Sequence, residues 1–185
     1  MNLRIFKAIK WGMSALRVVK TRAIYGSHLK LTSGKPLYLG KDVRVVLGKG
    51  ASLSFGTGVY LSPGCFLQVG DGASLVLMDG VYMNEGCRVV ANESISIGEG
   101  TLFGPNVQIY DHDHRFDRGG VRPELYREPV IIGKHCWLCA NVVVTRGCTV
   151  ANHSLVSANS VVTRNLCDEG ALYAGSPACL IKRYD

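Results

Sequence analysis

The stretch "PVIIGKHCWLCANVVVTRGCTVANHSLVSANSVVTRNL", Pro129 to Leu166, decides the fold. Within it Ile132, Leu138, Val144, Val150, Val156 and Val162 recur every six residues. Each is followed by a small or short polar residue: Gly133, Cys139, Thr145, Ala151, Ser157 and Thr163. Four positions after each aliphatic stand Cys136, Val142, Cys148, Ser154, Ser160 and Leu166, all compact but the last. A six-residue period fits neither a helix nor plain two-residue alternation. It fits a short strand followed by a turn, with three such faces closing one coil of about 18 residues. The aliphatic residue then points into a triangular prism and the compact residue fills the corner beside it. Stacked coils pair their backbones with the coils above and below, so the core is continuous.

The pattern extends upstream. Leu77, Met83, Val89 and Ile95 keep the same step, as do Ile97, Phe103 and Ile109. "GASLSFGTGVYLSPGC" from Gly50 and "GASLVLMDGVYMNEGC" from Gly72 are related by 22 residues, which reads as one coil with two insertions of two. These fall between Leu67 and Val69 and between Leu75 and Leu77. An even insertion preserves which side chains face inward. Four of the seven cysteines (Cys65, Cys87, Cys136 and Cys148) occupy the compact position, so packing explains them better than a disulfide framework. Cys136-x-x-Cys139 has no second pair, and its members sit at different places in the hexad, so no metal site is expected. A reducing compartment follows.

With 185 residues and 47% apolar composition the chain suits one globular domain. No apolar run approaches the roughly 18–20 residues needed to cross a bilayer. The start lacks an h-region followed by a cleavage site, so no secretory signal is expected. The net charge of +7 is unevenly placed: residues 1–41 hold nine Lys/Arg and no acid, and the rest is nearly balanced. Residues 1–30 therefore read as a basic segment preceding a β-helix domain at 31–185. Arg4, Lys7 and Lys10 among Leu3, Ile5, Phe6, Ile9, Trp11 and Met13 predict an amphipathic helix. Two readings stand open for residues 1–22: peripheral contact with an anionic membrane, or an apolar face capping the core. Nucleic acid is not expected as a partner.

The hexads stop after Ile109 and resume near Val130. The intervening "YDHDHRFDRGGVRPELYREP", residues 110–129, is too polar to continue the core and predicts a protruding loop. Histidine titrates near working pH and can accept a hydroxyl proton. Asp111, Asp113 and Asp117 could orient one, although a solvated acidic loop accounts for most of them. His135 and His153 fall on turn positions and should be exposed.

This pattern resembles the hexapeptide-repeat acyltransferases, and its closing section with "AGSPACLIKR" resembles their sugar and polysaccharide O-acetyltransferase group. The resemblance covers roughly residues 37–182. It implies an all-β left-handed parallel β-helix with a protruding loop and a short N-terminal helix, assembled as a homotrimer with sites between subunits. It implies transfer of acetyl from acetyl-CoA to a saccharide or surface-polysaccharide precursor, with no metal, in the cytoplasm or peripherally at the inner face of the membrane. The family's loop opens Ile-Tyr-x-x-x-His, which "IYDHDH" matches with His114 as general base; His112 is the alternative. Asn84 matches an acceptor-binding asparagine and Trp137 a tryptophan of the acetyl-CoA region. Ala140 and Ala158 match backbone contacts to the cofactor, and Thr163, Arg164 and Lys182 lie near its adenine and 3′-phosphate end. The chain departs from the family at Leu138-Cys139, usually Ile-Gly, and at Cys179, usually Lys or Arg. Two other functions fit a solenoid: a non-catalytic scaffold, and a zinc enzyme like the β-helical carbonic anhydrases, whose His-x4-His pair is missing here.

Overall fold

The computed structural model describes residues 3–184, with side chains from residue 7 onward. Three sheets of six, eight and six strands form the faces of a prism, parallel throughout except for the final pair of the second, where Cys179–Arg183 runs antiparallel to Ala171–Ala174. Successive coils are read from the first face: Leu53 pairs with Leu75, Leu75 with Ile95, Ile95 with Val130, and Ile131 with Thr149. The coil length thus falls from 22 residues to 20 and then 18, apart from one step of 35 that contains residues 110–129. The strands of the first and third faces (Ser52–Phe55, Phe66–Val69, Ser74–Leu77) have four residues where those of the second (Tyr60–Leu61, Tyr82–Met83) have two. This places the extra pairs within Phe66–Val69 and Ser74–Leu77, as the sequence indicated.

All six aliphatics of the Pro129–Leu166 repeat are essentially fully buried, as are the compact residues four places on. The corners need a backbone with positive φ. Glycine supplies it at Gly72, Gly80 and Gly100; elsewhere Asn106, His135, Asn141, His153 and Asn159 adopt φ between 51° and 59°. Asn106, Asn141 and Asn159 form a side-chain ladder at one corner (3.3 and 3.0 Å), and the His135 and His153 rings stack at another with centroids 5.5 Å apart. Both histidines are exposed, as expected, and serve the turn. On the outside of the second face Tyr38, Tyr60 and Tyr82 stack in register, followed by Leu102 and Trp137.

The N-terminal helix spans Leu3–Tyr25, longer than the short helix expected, and Leu29–Leu31 already pairs with the solenoid. It crosses the end of the prism, where terminal strands present unpaired edges. Ser14 Oγ accepts from the Leu39 N–H (2.8 Å), Arg17 donates to the Leu39 carbonyl (3.2 Å), and the Tyr25 hydroxyl donates to the Val45 carbonyl (2.8 Å). Residues 110–129 are ordered as an antiparallel hairpin, His112–Asp117 against Gly120–Arg127.

Candidate functional site

The hairpin leaves the prism at the corner between the third and first faces. Ile109 is the last hydrophobic residue of the inward column, paired with Val89 below and Val144 above. Strand alternation turns Tyr110 outward and Asp111 inward again. Asp111 thereby continues the column of Val69 and Ala91, and it is fully buried. A buried carboxylate is tolerable only when its oxygens are satisfied. One oxygen accepts from the Asn92 N–H (2.7 Å) and the other from the Glu93 N–H (2.8 Å), both in the corner turn one coil earlier. Its carbonyl accepts from the Glu128 N–H (3.0 Å), closing the hairpin's base.

His112 Nδ1 lies 3.1 Å from the same carboxylate, with the side chain only 17% exposed. With Nδ1–H donating to Asp111, Nε2 is the free acceptor that a general base requires. Alternation puts His114 on the same side of the strand as His112, two residues farther out. His114 is exposed and makes no side-chain hydrogen bond among the described residues. Asp113 points the other way, to Arg146 Nε at 2.7 Å, and Arg146 also pairs with Glu128. This arginine clamps both hairpin strands onto the next coil. Asp117 binds Arg122, whose guanidinium holds its carboxyl below the usual carboxylate range. Of the three loop aspartates, then, one is buried beside a histidine and two pair with arginines. The signal for Asp111 was present in the sequence, two residues past an inward-facing isoleucine.

The remaining candidates divide between corners. Asn84, Ala140 and Ala158 lie on the corner between the second and third faces, with Trp137 half-exposed on the second face beside it. Thr163 and Arg164 lie on the hairpin's own corner, where a polar depression of about 660 Å³ is lined by Asp113, Glu128, Arg146, Thr163 and Arg164. One chain therefore leaves the two groups a face apart. The Asn84 Oδ1 accepts from the Glu85 N–H (2.8 Å), an ordinary turn contact. The Ala140 N–H finds no acceptor among the described residues. Lys182 lies on the final strand, exposed, with its ammonium 4.9 Å from the Tyr184 ring centroid. Arg164 reaches Cys179 Sγ at 3.2 Å, so the residue that departs from the family's cation touches a neighbouring one. Among the described residues no group of three His, Cys, Asp or Glu side chains could hold a metal ion.

The bacterial transferase hexapeptide model, of six repeats, matches residues 129–164. The chain is 36% identical over 107 residues to WbbJ of Escherichia coli strain K12, named as a lipopolysaccharide biosynthesis O-acetyl transferase; this covers 52% of the chain and 54% of that protein. It is 33% identical over 101 residues to the galactoside O-acetyltransferase of Lactococcus lactis, covering 51% and 45% respectively. The chain thus spans about half the length of the curated relatives it matches. Among solved structures, a variant of the N-acyltransferase AntD from Bacillus cereus, bound to an amino-sugar nucleotide and coenzyme A, superposes with a TM-score of 0.72 at 15% identity, over 90% of this chain and 88% of that one. The polysialic acid O-acetyltransferase OatWY gives 0.63 at 19% identity, over 84% of each chain. The hexads, the three-faced parallel coils and these likenesses agree: residues 129–164 match the bacterial transferase hexapeptide repeat, and the chain has the left-handed parallel β-helix fold of its acyltransferase neighbours.

Proposed function

We propose that the protein transfers an acetyl group from acetyl-CoA to a hydroxyl of a saccharide or surface-polysaccharide precursor, in a site shared by adjacent copies of a trimer. The observation that carries this reading is the single interruption of the solenoid, where a buried carboxylate roots a hairpin bearing two histidines on one side. The names of the relatives supply the reaction class and the saccharide acceptor. The division of candidate residues between two corners supports the shared site: a neighbour's second-face corner, with Trp137 and the unpaired Ala140 N–H, would face this chain's hairpin.

In the reaction the histidine takes the hydroxyl proton as the oxygen attacks the thioester carbonyl. Backbone N–H groups at the corner steady the oxyanion. The carbon–sulfur bond breaks, and the leaving thiolate takes the proton from the histidine. The Ile-Tyr-x-x-x-His motif of the loop, matched by "IYDHDH", supports His114 as the base. The Asp111 contact favours a second assignment, in which His112 is the base and Asp111 fixes its tautomer. The test is thiol release from acetyl-CoA against sugars, nucleotide sugars and lipid-linked oligosaccharides. Acetylated product with one of them supports the reading; neither turnover nor CoA binding overturns it in favour of a scaffold.

A further inference from the structure

We propose that the outward side of the N-terminal helix seats the solenoid on an anionic lipid surface. The helix docks through Ser14, Arg17, Val18, Thr21 and Tyr25, all at least half-buried. At 100° per residue the opposite side carries Ile9, Gly12, Leu16, Val19 and Ala23, flanked by Met13 and Ile24. Its large members are exposed: Leu16 by 65%, Val19 by 66% and Ile24 by 62%. This stripe runs about 22 Å along the helix. Soluble surfaces seldom present so continuous an apolar face without a partner.

Charge selects the partner. Lys20 lies within the stripe's arc, and Arg22, Lys30, Lys35 and Lys41 are exposed on the same end of the molecule, where no acidic residue occurs before Asp42. A second copy of this face would bring the same cations and repel it. An anionic membrane satisfies both features, with apolar side chains entering the headgroup boundary and cations meeting phosphates. Beside the stripe a cavity of about 450 Å³ is lined by Trp11, Val19, Arg22, Lys35, Leu37 and Phe55, apolar walls with two cations that suit an acyl chain and its anionic head. Among the described residues no helix is long and apolar enough to cross a membrane, and the proposed contact is an interfacial one. The hairpin leaves three strand spacings above the first strand of its face, and the capping helix adds its own diameter, which puts the proposed site roughly 25 Å from the lipid.

The test is flotation of the full chain with vesicles of phosphatidylcholine alone or mixed with phosphatidylglycerol. Binding to the mixed vesicles only, weakening as salt rises, is expected. Lys20→Ala should weaken it about five-fold, and Leu16→Glu with Val19→Glu at least about ten-fold. Leu16 and Val19 are both about two-thirds exposed, so an unchanged melting temperature separates lost binding from lost folding. No flotation, equal flotation on neutral vesicles, or binding unaffected by the double substitution overturns the proposal. So does a double variant that scatters light as a smaller assembly than a wild type that does not float, which would make the stripe a contact between copies.

Discussion

Replacing Asp111 with asparagine tests whether the hairpin is held by a buried anion. The carboxylate serves three donors: Asn92 N–H at 2.7 Å, Glu93 N–H at 2.8 Å and His112 Nδ1 at 3.1 Å. An amide of the same shape keeps one oxygen. Its better orientation leaves that oxygen on Asn92 and His112 and turns the NH₂ toward the Glu93 N–H, donor against donor. A buried donor without an acceptor costs about 1–3 kcal/mol, and the two remaining bonds drop from charge-assisted to neutral strength at about 1 kcal/mol each. Relief from desolvating an ion offsets part of this. The net loss is about 2–4 kcal/mol, a fall in melting temperature of roughly 5–15 °C for a chain of this size. Circular dichroism melts at pH 7 measure it, at matched concentrations because subunit assembly raises apparent stability. Asp113→Asn is the control: that carboxylate is 55% exposed beside Arg146, and an exposed pair contributes about 0–1 kcal/mol. Equal shifts for the two variants, or a shift under about 2 °C for Asp111→Asn, would refute the reasoning.

Four further outcomes are expected. If His114 is the base, His114→Ala lowers turnover by roughly 10²–10⁴ with the fold intact, and His112→Ala has a smaller effect; the reverse ranking in the thiol-release assay assigns the base to His112. Gly98→Ala should destabilise by about 1–3 kcal/mol, because its Cβ would sit 2.5 Å from the Gly133 backbone of the next coil. Gly12→Ala, on the exposed helix with open space around it, should stabilise by up to about 1 kcal/mol, so paired melts must show opposite signs. Iodoacetamide should modify exposed Cys167 and Cys179 in the native protein, while burial pushes the Cys136, Cys139 and Cys148 thiols up. A folded pKa above the unfolded one contributes stability below the unfolded value and loses it as pH rises, so chemical denaturation should show weakening above about pH 8.5.

Much of this architecture was legible because the hexad is redundant. Every coil restates which residue faces inward, so Ile132 to Val162 mark faces and corners, and the 22-residue shift between Gly50 and Gly72 exposes the two-residue insertions. The hairpin was legible only as an interruption. Its polar composition hid the burial of Asp111, since an aspartate in a run of charges ordinarily reads as solvated. Continuing the alternation past Ile109 would have turned it inward. The ranking of His114 over His112 rested on alignment, which is blind to this contact. Trp137, Asn84, Ala140 and Ala158 sit on or beside one corner, and the sequence of one chain could not show that they lie a face away from the hairpin.

The helix inverts the usual inference from amphipathicity. An apolar stripe is expected to face the core, because most cores offer apolar surface. The end of a solenoid offers something else: terminal strands with free N–H and C=O groups, which cost stability if covered by hydrocarbon. A cap there must bring hydrogen-bonding groups, and Ser14, Arg17 and Tyr25 do so at Leu39 and Val45. The side used for folding thus combines these polar groups with Val18 and Tyr25, which pack against the core, and leaves the side of Leu16 and Val19 exposed. Capping and lipid contact, which looked like rival uses of residues 1–22, fall on opposite sides of one helix and are compatible. Leu16→Glu with Val19→Glu should therefore affect only the second, and Ser14→Ala only the first.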